Sequence, residues 1–170
     1  MNNNVVDALW RALPPVGMLA FRFNFRGVGG SEGRFEKGIG ETRDVKGALR
    51  FLSDAGYGGL PSFLAGYSFG AYVIHLMAAL PNSRGIIMVS PPVSMMAFDP
   101  GRLSEHPFLF VSGDQDAFCR PRDLDNLVSA LEGDIKREVF PGVDHFWLGK
   151  EGLLVETVRS WIESRLTDVS

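Results

Sequence analysis

Gly66-Tyr67-Ser68-Phe69-Gly70 stands between a short apolar run, Ser62 to Ala65, and a longer one with helical spacing, Phe69 to Leu80. A chain that leaves a strand and enters a helix within one turn forces the residue at the turn into an unusual backbone conformation and points its side chain outward. Small residues two positions either side let strand and helix approach, which is the role expected of Gly66 and Gly70. Ser68 would then stand exposed at the start of a helix, where backbone N–H groups and the positive dipole end favour a developing oxyanion. With 20 glycines in 170 residues, such a spacing also arises by chance in turns, so its meaning depends on the rest of the chain.

Val5, Val6, Leu9, Trp10 and Leu13 recur at helical spacing behind a capping Asn run, and Pro14-Pro15 stops them. Met18 to Phe25 alternates, with Leu19, Phe21, Phe23 and Phe25 on one side, and is expected to be a strand. Six glycines make Arg26 to Gly40 a loop, and Val45, Ala48, Leu49 and Leu52 mark a helix with Glu41 and Asp44 near its start. Beyond the elbow and its helix, which Pro81 is expected to end, Gly85 to Ser90 reads as a buried strand and Pro91 to His106 as irregular. Phe108 to Ser112 is a further strand, Pro121 opens a helix, Ile135 to Phe140 is an edge strand, and a helix carries Leu153 to Leu166. Strands alternating with helices, the central ones apolar on both faces, give a single α/β domain over residues 1–170, with a mostly parallel sheet and helices on both faces.

A net charge of −3 with scattered cations argues against a nucleic-acid partner, and the absence of a long apolar run argues against a membrane. Without a leader-like N-terminus the chain is expected to be cytoplasmic. One cysteine, Cys119, makes no internal disulfide, and three separated histidines show no metal spacing, so neither cofactor nor metal is expected.

Reactive groups of a parallel sheet lie beyond the carboxyl ends of its strands. Those places hold Ser68, then Gly113-Asp114-Gln115-Asp116, then Val143-Asp144-His145. A serine hydroxyl needs a base, and His145 is the histidine that follows a strand. An imidazole needs a carboxylate to fix its tautomer, which Asp116 or Asp114 can do. Asp116 is preferred, because it has room to turn back, whereas Asp114 and Asp144 are expected to brace loops. His75, inside the helix after the elbow, is expected to be a core or groove residue.

With these residues in view the chain resembles the α/β-hydrolase superfamily, and within it small bacterial hydrolases without a large lid, related to the dienelactone-hydrolase and serine-peptidase branches. The resemblance runs through Arg22-Phe23-Asn24-Phe25-Arg26-Gly27-Val28-Gly29-Gly30-Ser31-Glu32-Gly33, Gly40-Glu41 with Asp44, and Ala65 to Ala71. It continues in Ser90-Pro91-Pro92-Val93, Gly113 to Asp116 and Val143 to Phe146. It implies a serine hydrolase acting on a small carboxylic ester, thioester or amide, with Ser68 as nucleophile, Asp116 as acid, His145 as base and the Phe69 N–H in the oxyanion hole. Met95, Met96 and Phe98 would line an acyl or leaving-group pocket. Members of the superfamily usually carry further N-terminal strands and a Gly-rich loop that gives a second oxyanion donor. The chain is therefore expected to be N-terminally truncated, or else to draw that donor from the Gly27–Gly30 loop. The alternative is a non-catalytic module whose exposed sheet edges favour binding or homo-oligomerisation.

Overall fold

The computed structural model describes residues 3–77, 83–103 and 106–167. Asn3 caps the first helix, α1 (Asn4–Ala12), its side chain accepting from the Val6 N–H. Helix α2 spans Ile39–Leu52. Strand β1 (Ser62–Tyr67) then runs into α3 (Phe69–His75), β2 is Ser83–Val89, and β3 is Phe108–Gly113. Helix α4 (Pro121–Ser129) begins on its proline, β4 is Ile135–Phe140, and α5 is Glu151–Thr167. The elbow helix ends at His75, earlier than its apolar spacing suggests, and the stop expected at Pro81 lies outside the described residues.

The four strands are parallel, in the order β1-β2-β3-β4, with β4 at an edge as its alternation predicts. Successive residues of the central strands feed opposite faces. Ile86, Met88, Phe108 and Phe110 join Val45, Ala71, Val73, Ile74 and Leu124 on one side. Ile87, Val89, Leu109 and Val111 join Val5, Leu9, Leu154, Val158 and Trp161 on the other. Every residue of β3 is buried, which explains why its sequence shows no polar face.

The strand expected at Met18–Phe25 does not form. Its period is nevertheless real: the rings of Phe21, Phe23 and Phe25 touch in succession at 6.3 and 5.5 Å, and Phe21 stacks on Phe51 of α2 at 5.7 Å. On the opposite side Arg22 pairs with Asp7 at 2.9 Å and lies over the Trp10 ring of α1. What is missing is the ladder. A run becomes a strand only when a neighbour about 4.8 Å away takes its backbone bonds. Strand β1 pairs with β2, and the other edge of Phe63–Tyr67 pairs with no strand among the described residues.

Two carboxylates order the chain between Phe25 and α2. Asp44 takes the Arg26 guanidinium at 2.8 Å and the Arg26 N–H at 3.0 Å, and these hydrogen bonds hold its carboxyl below the usual range. Buried Glu41 accepts the backbone N–H groups of Glu36 and Gly38 at 2.9 and 2.7 Å, closing the start of α2.

Candidate active site

Ser68 adopts φ 51° and ψ −119°, outside both helix and strand geometry, and its N–H is fastened to the Val89 carbonyl at 2.9 Å. The elbow thus has the strained backbone that a strand-to-helix turn demands. The two glycines are not equivalent. A Cβ on Gly66 would stand 2.6 Å from the backbone of Gly70 and Ala71, whereas one on Gly70 would meet nothing. The close approach is one-sided, so the expectation that both positions need glycine for space holds for Gly66 alone.

The Ser68 hydroxyl lies 2.9 Å from His145 Nε2, and His145 Nδ1 lies 3.0 Å from both oxygens of Asp116. A carboxylate only accepts, so Nδ1 carries the proton and Nε2 is left as the acceptor for the Ser68 O–H. Burial alone would raise the Asp116 carboxyl, but hydrogen bonds from His145 and Ser90, the His145 charge and the Cys119 N–H hold it below its ordinary value. The Phe118 and Cys119 N–H groups both donate to Oδ1 at 2.9 Å. The group is an ionised, hydrogen-bonded carboxylate at 1% exposure.

The neighbouring acids do other work. Asp114 accepts the Gly142 N–H at 2.7 Å, and Asp144 accepts the N–H groups of Phe146 and Trp147, so both shape the loop that carries the histidine. Gly113 brings that loop against β3: a Cβ there would collide with the Val143 carbonyl. Cys119 is fully buried, and burial together with the nearby Asp116 charge pushes its thiol up to about 12, which leaves it inert.

Phe98 spends its ring on His75 and Tyr72, at 4.6 and 5.7 Å, while Met95 is exposed. The rings beside the histidine are instead Phe118 at 4.6 Å, Tyr67 at 5.4 Å and Phe146 at 5.7 Å. Sequence reasoning missed these, although each adjoins or nearly adjoins a singled-out residue. It also missed the Tyr67 hydroxyl, which donates to the His145 carbonyl at 2.9 Å. Among the described residues no cluster of His, Cys, Asp or Glu could hold a metal ion, and no helix is long and apolar enough to cross a membrane.

No protein-family model matches the chain. Among solved structures, an α/β serine hydrolase homologue from Coxiella burnetii is 33% identical, covering 100% of this chain and 78% of that one at a TM-score of 0.83. The chain belongs to the α/β-hydrolase superfamily. A lidless α/β serine hydrolase from Xanthomonas campestris is 32% identical over 95% of this chain and 75% of its own, with a TM-score of 0.84. An uncharacterised protein of Rickettsia prowazekii is 33% identical over 156 residues, 86% of this α/β-hydrolase chain. The chain spans 66% of that relative's length.

Proposed function

We propose that the chain is a serine hydrolase that cleaves small carboxylic esters through an acyl-enzyme on Ser68. The observation that carries this reading is the continuous hydrogen-bond chain Ser68–His145–Asp116 at 2.9 and 3.0 Å. His145 Nε2 takes the hydroxyl proton as Ser68 Oγ attacks the ester carbonyl, and Asp116 stabilises the imidazolium that forms. As the first residue of α3, Phe69 has a backbone N–H with no intrahelical acceptor, and it donates to the oxyanion. His145 returns the proton to the departing alcohol, then activates the water that releases the acid. Thioesters and amides use the same steps; an ester asks less of the acid than an amide does, because an alkoxide departs more readily than an amide nitrogen, and a thioester asks less still. Phe118 and Phe146, together with exposed Met95, offer apolar surface to an acyl or alcohol chain. Met96, half-buried in the turn that follows Pro92, is assigned to the same cover on its sequence position, while Phe98 packs on Tyr72 and His75 of α3.

Wild-type protein is expected to hydrolyse p-nitrophenyl acetate and to be labelled by a fluorophosphonate, and Ser68→Ala to lose both. Equal labelling or equal turnover in Ser68→Ala would overturn the proposal. A second reading, a non-catalytic self-associating module, draws on the edge of Phe63–Tyr67 and on exposed Leu19, Phe21 and Phe51. A wild-type protein inert to both reagents and dimeric by light scattering would favour it.

A further inference from the structure

Tyr67 is the last residue of β1, directly before Ser68, and its half-buried ring packs on the part of the core that holds Val89, Val143 and Trp147. From there the side chain meets His145 twice. Its hydroxyl donates to the His145 carbonyl at 2.9 Å, and its ring lies 5.4 Å from the imidazole, inclined by 31°. A carbonyl only accepts, so the phenol must keep its proton for this bond to exist. Burial, with the charges of Asp116 and Asp144, pushes the phenol up to about 12, and it stays a donor well above neutral pH. Further hydrogen bonds hold the histidine loop from other directions. The Gly142 N–H goes to Asp114, the Val143 carbonyl takes the Gln115 N–H, the Phe146 carbonyl takes the Asn4 side chain, and the Trp147 indole N–H goes to Ser90 Oγ. Those bonds refer the loop to the ends of β3 and β2 and to α1, whereas Tyr67 refers it to β1.

We propose that Tyr67 is a positioning residue for the hydrolytic reaction, its hydroxyl holding the His145 backbone so that Nε2 stays within hydrogen-bond reach of Ser68 Oγ. This rests on the reading of Ser68, His145 and Asp116 as a catalytic set. The two partners of the Ser68–His145 bond come from different elements, the elbow and the loop after β4, and their 2.9 Å separation lasts only while those elements keep their places. Tyr67 shares a peptide bond with Ser68. A bond from its hydroxyl to the His145 carbonyl therefore closes a short circle from Ser68 through Tyr67 and His145 back to Ser68. That circle fixes base against nucleophile without passing through Asp116. The Asp116 side of the imidazole is held separately, by the Phe118 and Cys119 N–H groups on the carboxylate and by the Asp114 and Gln115 contacts of the loop. Loss of the hydroxyl lengthens the Ser68–His145 contact and spares the His145–Asp116 pair.

The test is Tyr67→Phe, which keeps the ring beside the imidazole and removes only the donor. With p-nitrophenyl acetate the variant is expected to lose roughly fivefold to tenfold in kcat at an unchanged KM. The loss stays below the roughly 10²-fold of a 1 Å misplacement, because the ring and the other bonds of the loop limit the shift. The rate of fluorophosphonate labelling falls by the same factor, since it needs the same proton transfer and no bound ester. An NMR titration of His145 is unchanged and the downfield Nδ1 proton shared with Asp116 persists, because that pair is untouched. Urea unfolding of the same variant checks that it is fully folded in the assay. A tyrosine with a merely structural role would lower the unfolding midpoint and leave kcat and the labelling rate at wild-type values, which overturns the proposal. A kcat loss accompanied by a shifted His145 titration overturns it as well, because the effect then falls on the Asp116 pair. A wild-type protein that neither cleaves the ester nor reacts with the fluorophosphonate overturns the hydrolase reading itself, and with it any part for Tyr67 in the reaction.

Discussion

Gly113→Ala tests how the site is assembled, because the substitution adds a single methyl group at the contact between β3 and the histidine loop. That methyl would overlap the Val143 carbonyl and stand 2.7 Å from Val143 Cβ, against the 3.4 Å at which ordinary contact begins. The obstacle is backbone, so no side-chain rotation relieves it, and Val143 must retreat by about 1 Å. His145 lies two residues on, and the Val143 carbonyl also accepts the Gln115 N–H at 3.0 Å, one residue before Asp116. A retreat of that size moves His145 away from Ser68 and Asp116 and stretches hydrogen bonds of 2.9 and 3.0 Å well beyond their normal length. A misplacement of about 1 Å costs roughly 10²-fold in rate, and overpacking costs roughly 1–3 kcal/mol in stability. The assay is kcat/KM for p-nitrophenyl acetate beside a thermal melt. The expected outcome is a hundredfold loss of activity with a Tm lowered by several degrees. Activity within threefold of wild type at an unchanged Tm would refute the close-approach argument.

Further outcomes follow from burial and hydrogen bonding elsewhere. Burial lowers the His75 imidazole, whose Nε2 accepts the Asp99 N–H at 2.7 Å, so the unfolded chain binds that proton more readily. Its contribution to stability is complete above about pH 6.5 and is lost as pH falls through the folded value, so denaturation midpoints should fall below pH 6.5 and His75→Gln should flatten that slope. Tyr67→Phe removes the O–H that holds the His145 carbonyl and should cost about 1 kcal/mol in urea unfolding; no change would show that water replaces it. Cys119 should resist a thiol reagent at pH 8 in native protein and react fully in guanidinium, and rapid native labelling would contradict its burial.

The sequence was most readable where one residue type had one structural use. Proline placed the start of α4, the apolar runs placed β2 and β3, and the order Ser68, Asp116, His145 at strand ends marked the groups that the structure brings within hydrogen-bond distance. Period alone was less reliable. Phe21, Phe23 and Phe25 do share a side, yet side-chain alternation says nothing about whether a backbone partner is present, and the ladder is not formed. The buried hydrogen bond from the Trp147 indole to Ser90 Oγ, 2.9 Å long, was illegible for another reason. It joins residues 57 apart in sequence, each at positive φ, and neither feature leaves a compositional trace. The different needs of Gly66 and Gly70 likewise depend on which backbone lies in front of each Cα, a matter of three-dimensional approach.

Among the described residues, Phe63–Tyr67 of the strand that leads into Ser68 pair with a neighbouring strand along one edge only. The placement of Ser68 and occupancy of the other edge are therefore thermodynamically linked. A strand that binds that edge in the folded state alone, present at a hundred times its dissociation constant, adds about 2.7 kcal/mol to folding. Because β1 passes straight into the elbow, that stabilisation acts on the backbone that holds Ser68, and the resistance of that turn to local unfolding becomes a function of what lies alongside β1.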